Sequence, residues 1–123
     1  MNESLTPADV HRLGVELYNA GRTDEAMAYV DENVVDHHRD GDQHGVATWI
    51  ANRKKWAVDY SANSVQVEQN VTQGEFSVNR YTVHGTHTAS ARKFEVLGMD
   101  MIRVHNGKIV EHWALLDRAG LPD

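Results

Sequence analysis

The first half of the chain places its apolar residues at helical spacing. One face of a predicted first helix carries four of them, at Val10, Leu13, Leu17 and Tyr18. Thr6, Pro7 and Asp9 are typical of a helix start, and Gly21 of a helix end. A second, shorter helix is predicted from Asp24 to about Val30.

Helical spacing returns further along the chain, after a short extended piece at Val34–His38 and a polar loop at Arg39–Gln43. The predicted third helix has one stripe, made of Val46, Trp49, Ile50, Arg53, Trp56 and Tyr60. An aromatic stripe at this spacing usually packs in a core, but its upper part can also line a cavity. Arg53 within the stripe needs an acidic partner or a ligand anion, unless its head group reaches the surface.

After Asn63 the hydrophobic period changes from about 3.6 to 2, which predicts strands. Alternation begins at Val65, a long strand follows from Phe76 to about Ala89, and a hairpin pairs Phe94–Val104 with Ile109–Leu116 around Asn106-Gly107. Gly85 could kink or bulge the long strand. Helices followed by antiparallel strands predict an α+β fold: a cone in which the helices pack on a curved sheet and enclose a pocket. The chain has no linker or repeat, so residues 1–123 are expected to form one domain.

Composition narrows the function classes. The 123 residues carry a formal net charge of -6, which argues against nucleic acid or an acidic membrane as partner. The chain has no cysteine, no apolar run long enough to cross a membrane, and an amino terminus unlike a signal peptide. We therefore expect a cytoplasmic protein. Histidine is enriched, at eight residues, and it is the side chain that titrates near neutral pH.

Three passages of the chain resemble one family. They are Leu17–Gly21 running on to Asp36-His37, Tyr81–Thr88 with its Gly-Thr-His-Thr, and Gly98–Val104 followed by Gly107–Trp113. Together they make the stretch from Val15 to Leu116 similar to the SnoaL-like polyketide cyclase family. That family shares its cone-shaped α+β barrel with nuclear transport factor, ketosteroid isomerase and limonene epoxide hydrolase. The resemblance implies a ligand pocket. It does not imply catalysis, because this fold hosts both enzymes and non-catalytic binders.

The chain departs from the family pattern at two places. Family members commonly carry Asp directly after His-Trp, where it resembles the acid/base residue of aldol-type cyclases, and this position is Ala114 here. A short connection, Ala89–Lys93, replaces a longer loop that borders the pocket mouth in the family. The usual acid is therefore missing, and the mouth is expected to differ in shape.

Asp100 and His112 are the first candidates for catalysis, because a carboxylate and an imidazole on neighbouring strands can share a proton. A two-residue Asn106-Gly107 turn alone places Asp100 opposite Trp113, with His112 on the other face. One bulge in the hairpin reverses this parity and brings Asp100 and His112 together in the pocket, as the resemblance implies.

His37 is the third catalytic candidate, because the Asp-His resemblance places it where it can orient a carbonyl or a water. The alternative is that residues 36–38 form a solvated turn. His38 has no assigned role, and His11, His44 and His105 are expected at the surface. His84 and His87 are three residues apart, so they face opposite sides of a regular strand and make no ready metal pair. We expect no metal and no cofactor.

The leading hypothesis is a domain that binds a small hydrophobic, carbonyl-bearing compound, with cofactor-independent cyclisation, isomerisation or hydration as its reaction. Asp100 and His112 would transfer the proton, and Asp117 is the reserve acid. Five residues are expected to bind the ligand, namely Tyr18, Trp49, Arg53, Trp56 and Asp117 itself. The alternative is a non-catalytic binding or dimerisation module, which Ala114 favours. A homodimer is expected because the outer sheet face exposes methionine and valine.

Overall fold

Three helices pack on a curved six-stranded sheet in a computed structural model that describes residues 5–122, so residues 1–4 and 123 of the predicted domain lie outside it. The helices are α1 (Pro7–Asn19), α2 (Thr23–Ala26) and α3 (Val46–Asp59). The strands are β1 (Val30–His38), β2 (Gly41–His44), β3 (Tyr60–Gln73), β4 (Phe76–His87), β5 (Arg92–His105) and β6 (Lys108–Leu116), with short 3₁₀ turns at Met27–Tyr29 and Arg118–Gly120.

The sheet order is β2-β1-β6-β5-β4-β3. Only the β1–β6 pair is parallel, and all other described neighbours are antiparallel. This arrangement confirms the predicted cone-shaped α+β fold. The parallel pair closes the cone, because it brings the strand that follows the first helices beside the last strand of the chain.

Local sequence signals account for the start of α1. The Thr6 hydroxyl accepts from the backbone N–H of Asp9, whose carboxylate accepts from the N–H of Thr6 in return, and Pro7 occupies the first turn. The predicted first helix is therefore confirmed at its amino-terminal end. No described helix is both long enough and apolar enough to cross a membrane.

Two predicted elements differ in the structure. The second helix ends at Ala26 instead of Val30, because the chain tightens into a 3₁₀ turn and enters β1 at Val30. The predicted polar loop at residues 39–43 contains β2. Gly41, with φ of 129°, reverses the chain so that β2 pairs antiparallel with β1.

Gly85 serves close packing instead of forming a bulge. The β4–β5 ladder runs through Gly85 without a register shift, and a Cβ there would lie 2.7 Å from the Phe94 ring. The described bulges of this part of the sheet lie in β3, between Ser61 and Ser64 and between Val67 and Gln69. They increase the curvature of the strand that forms one wall of the cone.

Two clusters of buried side chains form the core on the concave face of the sheet. The larger contains Val10, Val30, Val34, Trp49, Ile102, Val104 and Ile109, and the smaller contains Val83, Phe94 and Val96. Residues from both clusters line one cavity, so the helices and the sheet separate where the two clusters meet.

Candidate functional site

A cavity of about 970 Å³ opens between the helices and the concave face of the sheet. This volume is within the range of sites for small organic molecules. Most of the lining is apolar or aromatic, and Tyr18, Trp49 and Trp56 are part of it as predicted. The polar groups that interrupt this lining include His11, Asp36, Arg53, Tyr81, Asp100 and His112.

The hairpin register decides which polar groups face this cavity. Asn106 and Gly107 both have positive φ, as a tight two-residue turn requires. The pairing register nevertheless shifts between Arg103 and Val104 of β5, because β6 has one extra residue between Ile109 and Glu111. As a result, Ile102 pairs with His112 and Asp100 pairs with Ala114. The bulged alternative is the one observed, and it places Asp100 and His112 on the same face.

His112 lies between two carboxylates. Its Nδ1 is 2.7 Å from Asp36 Oδ1, and its Nε2 is 3.3 Å from Asp100 Oδ2. The ring also meets Trp49 edge-on, with the centroids 4.9 Å apart. β1, β6 and β5 each contribute one member, so a line of Asp36, His112 and Asp100 crosses three neighbouring strands at the wall of the cavity.

Hydrogen bonds outweigh burial in this line of charges. Burial alone would raise the pKa of Asp100, but the hydrogen bonds from His11 and His112 hold it well below the usual range. Burial would likewise lower the pKa of His112, and the hydrogen bonds to Asp100 and Asp36 raise it instead. Burial alone would also raise the pKa of Asp36, but the hydrogen bond from His112 lowers it. All three shifts favour the ionised forms, an imidazolium beside two carboxylates.

His11 is not at the surface, and the prediction that it would be is wrong. It is 5% exposed on α1, with its Nε2 2.9 Å from Asp100 Oδ1 and its Nδ1 2.8 Å from Ser77 Oγ. A carboxylate only accepts, so Nε2 carries the hydrogen that faces Asp100. The missed signal was helical spacing, since His11, Gly14, Val15 and Tyr18 share one face and all line the cavity.

Asp36 and His37 are successive residues of β1, so their side chains point to opposite faces of the sheet. Asp36 faces inward and is 4% exposed, whereas His37 turns to the outer face and stacks on Trp113 at 4.7 Å. The ring of His37 bonds Asp42 at 2.8 Å and Glu111 at 2.9 Å, and the bond to Glu111 raises the pKa of His37. The orienting role of His37 stays a prediction: His37 is among the residues that line the cavity, while its hydrogen-bond partners Asp42 and Glu111 differ from those of His112.

His38 returns to the inner side, where its Nε2 lies 3.0 Å from Asp36 Oδ2. Oδ1 of Asp36 is thus hydrogen-bonded by His112, and Oδ2 lies in ion-pair contact with His38. The solvated-turn alternative for residues 36–38 does not hold, because these residues belong to β1. Sequence spacing contained the signal for Asp36, since it alternates with buried Val34.

Asp117 lies outside the cavity lining. β6 ends at Leu116, and Asp117 is an exposed residue whose backbone N–H donates to the Leu97 carbonyl. Its side chain is therefore poorly placed for the predicted reserve acid. Within residues 5–122, no cluster of three or more His, Asp or Glu side chains has the arrangement of a metal site.

A family model described as SnoaL-like polyketide cyclase matches residues 8–122 of this chain. A search of curated protein sequences found no significant match. Among solved structures, wild-type IdmH from Streptomyces antibioticus is 21% identical, with a TM-score of 0.84 over 94% of this chain and 95% of that one. A SnoaL-like polyketide cyclase from Agrobacterium tumefaciens is 19% identical, with a TM-score of 0.83 over 94% of both chains. TsrD from Streptomyces laurentii is 21% identical, with a TM-score of 0.79 over 90% and 87%.

Proposed function

The chain belongs to the SnoaL-like polyketide cyclase family, and from this premise we propose that it is a cofactor-independent acid–base enzyme acting on a small hydrophobic carbonyl compound. The observation that carries the proposal is the line of Asp36, His112 and Asp100 at the wall of an otherwise largely apolar cavity. The reaction begins with removal of a proton next to a carbonyl. Cyclisation or isomerisation then follows according to the substrate, whereas in a hydration the carboxylate would instead take the proton of the attacking water.

Asp100 is the base in this mechanism. Its side chain is 19% exposed, against 6% for Asp36 and 9% for His112, so it is the member of the line most accessible from the cavity. Its lowered pKa keeps it ionised at physiological pH but also makes it a weak base. It therefore suits an activated C–H, such as a carbon between two carbonyls, whose proton is unusually acidic.

His112 returns the proton and balances the charge. Asp36 fixes the orientation of the imidazolium, much as a buried carboxylate orients the base of a catalytic triad. When Asp100 takes the proton, the positive charge of His112 remains beside the developing enolate. His112 can then donate its Nε2 proton to the alkoxide or carbon formed in the second step and recover it from Asp100.

The alternative is a binding module without catalysis, and the specific observation in its favour is Ala114. Ala114, whose side chain has no titratable proton, occupies the position where the family resemblance implies the acid. However, Asp100 is the cross-strand partner of Ala114 and faces the same cavity. The cavity therefore retains a carboxylate beside the vacated position, which favours the enzyme over the module.

Hydrogen exchange tests the proposal without knowledge of the natural substrate. Wild-type protein and D100N are incubated in D₂O with small cyclic and aromatic 1,3-diketones, and NMR follows deuterium uptake at the carbon between the carbonyls. We expect wild-type protein to accelerate uptake and D100N to lose about 10²–10⁴-fold of that acceleration. D59N, which removes an exposed carboxylate at the end of α3, is the control. Equal rates for wild type and D100N would favour the binding module.

We also propose that the protein is a homodimer that pairs through the outer face of its sheet. This face carries large apolar side chains that are unusually exposed, among them Val71, Phe76, Leu97, Met99 and Leu115. A contiguous apolar surface on a folded domain commonly marks an interaction site. Ion pairs of Arg103 with Glu75 and Glu111 adjoin this surface and would form its polar rim.

A further inference from the structure

Arg53 brings a positive charge to the cavity, and its hydrogen-bond donors are unused. Its guanidinium lies 3.7 Å above the Trp49 ring, and its Nη1 is 4.0 Å from Asp36 Oδ2, beyond hydrogen-bond distance. Asp36 instead has a hydrogen bond from His112 and an ion-pair contact with His38. Among residues 5–122, no acceptor forms a hydrogen bond with the Arg53 guanidinium.

The Arg53 side chain is 27% exposed and its charge is opposed by Asp36 at 4.0 Å, but burial removes part of its water without supplying hydrogen-bond acceptors for its N–H groups. Burial accordingly lowers the pKa of Arg53, although the nearby Asp36 and Asp100 oppose this effect. Arginine nevertheless stays charged, so its N–H groups favour an acceptor that a ligand brings into the cavity. The Trp49 ring holds one face of the guanidinium and leaves its N–H edge available.

Tyr81 adds a neutral donor near Arg53. Its ring lies flat across Gly98, where a Cβ would be 2.6 Å from Tyr81 Cε1 and 2.9 Å from the hydroxyl oxygen. The hydroxyl lines the cavity and has no hydrogen-bond partner within the described part of the chain. Burial raises the pKa of Tyr81, as does the charge of Asp100, so the hydroxyl keeps its proton.

The charge of the cavity wall also differs from that of the whole protein. The net charge of the chain is -6, yet the cavity lining contains three arginines and three aspartates, namely Arg39, Arg53, Arg118, Asp36, Asp40 and Asp100. His112, paired with two of these aspartates, offsets part of their charge. An anionic ligand thus meets a wall without the negative excess of the remaining surface.

We propose that Arg53 and Tyr81 bind a carboxylate of the ligand, so that the substrate is a hydrophobic keto acid whose activated carbon faces Asp100. The planar guanidinium fork matches a carboxylate through two parallel hydrogen bonds, and the tyrosine hydroxyl supplies a third. The keto-acid assignment rests on the proposed function, whereas the carboxylate site stands on binding alone.

Calorimetric titration with 2-naphthoate and its methyl ester tests the carboxylate site, because the two probes share a ring system and differ in charge. We expect wild-type protein to bind the acid about 10- to 100-fold more tightly than the ester. R53Q should abolish this preference, and Y81F should reduce it. K55Q is the matched control, since it removes an exposed positive charge from the same helix and should keep the preference.

R53K retains the charge without the fork, so a partial preference is expected, and circular dichroism establishes that each variant is folded. Equal binding of acid and ester by wild-type protein, no binding of naphthoate at millimolar concentration, or an unchanged preference in folded R53Q or R53K would each overturn the site. D100N separates this proposal from the catalytic one. It should lose deuterium exchange and keep or strengthen the preference for naphthoate, because it removes a negative charge from the cavity.

Discussion

Asp100 stands directly across the β5–β6 ladder from Ala114, and both residues line the cavity. Side chains paired in this way have Cβ atoms about 4.5–5.5 Å apart. A carboxylate at either position therefore reaches nearly the same part of the cavity. The two positions are alternatives for one acid in space, although they lie on different strands.

Restoring the second acid should therefore create a coupled pair of carboxylates. In A114D we expect one carboxyl to titrate at least about one pH unit above the unfolded value of about 3.9, since two like charges at this distance oppose joint ionisation. The carboxyl whose pKa is raised in the folded state favours folding below about pH 4, where it is protonated. This contribution to the free energy of unfolding is lost as the pH rises through the raised pKa. A114D should thus be about 1.4 kcal/mol less stable than A114N at pH 7 and match it near pH 3.5. Urea unfolding at both pH values measures this, and a gap independent of pH would contradict it.

The ion pair of Asp100 and His112 should make the free energy of unfolding depend on pH, both below and above about pH 5. The lowered pKa of Asp100, set by its bonds from His11 and His112 against burial, stabilises the fold above about pH 4 and is lost as pH falls further. The raised pKa of His112, set against burial by its bonds to Asp100 and Asp36, stabilises the fold below about pH 6.5 and is lost as pH rises through the folded value. The free energy of unfolding should peak between these values.

Two variants test the acid side and the alkaline side of this pH profile separately. Relative to wild type, D100N should flatten the decline on the acid side, and H112Q should flatten the decline on the alkaline side by about 1–3 kcal/mol. Denaturant titrations at half-unit pH steps give both profiles. H44Q alters an exposed histidine on β2 and is expected to leave the profile near that of wild type. If H112Q kept the full alkaline decline, the imidazolium assignment for His112 would be wrong.

His11 should matter for stability and for the acidity of Asp100. H11A removes the donor to Asp100 Oδ1 and the acceptor for the proton of the buried Ser77 hydroxyl, which still accepts from Asn70, and it opens a space under α1; together these should cost about 2–4 kcal/mol. The pKa of Asp100 should also rise because it loses a hydrogen-bond donor. The acid limb of the deuterium-exchange profile should then move to higher pH. Replacement of the exposed His44 by alanine should change neither quantity, and an acid limb unmoved in H11A would refute the role of His11.

Helix and strand types followed from periodicity where an element turns its apolar side chains to one face. α1, α3 and the last four strands were predictable for that reason, and the Asn106-Gly107 turn identified the final hairpin. The hairpin register was not predictable, since one extra residue near Val110 changes which side chains face the cavity and leaves the turn sequence unaltered.

The site was only partly predictable for a related reason. Asp100 and His112 were found through resemblance, but their partners His11 and Asp36 come from α1 and β1, about 90 and 76 residues away in the chain. A histidine on an amphipathic helix resembles a surface residue unless its acidic partner is known. The parallel β1–β6 pairing that brings Asp36 to His112 depends on long-range topology, which periodicity does not report.

Disruption of the outer sheet face should convert the proposed dimer into a monomer. Met99 and Leu115 are paired across β5 and β6 and are 47% and 78% exposed, so lysine at both positions places charge in the centre of the apolar surface. Light scattering after size exclusion should give about 28 kDa for wild type, twice the 13.8 kDa chain, and the single-chain mass for M99K/L115K. V58K changes an equally exposed apolar residue on α3 and should leave the dimer intact. A monomeric wild-type protein would refute the interface.

Gly98 should be needed for Tyr81 to lie where it does. Its own backbone tolerates alanine, since its φ is not in the left-handed region, but the new Cβ would meet the Tyr81 ring at 2.6 Å. G98A should therefore cost about 1–3 kcal/mol through overpacking and weaken the preference for naphthoate by displacing the tyrosine hydroxyl. In a Y81A background the clash is gone, and alanine should be neutral or stabilising by up to about 1 kcal/mol because it restricts the unfolded chain. A double-mutant cycle by urea unfolding measures the coupling, which we expect to be about 1–3 kcal/mol. Additive effects of the two substitutions would show that Gly98 does not position Tyr81.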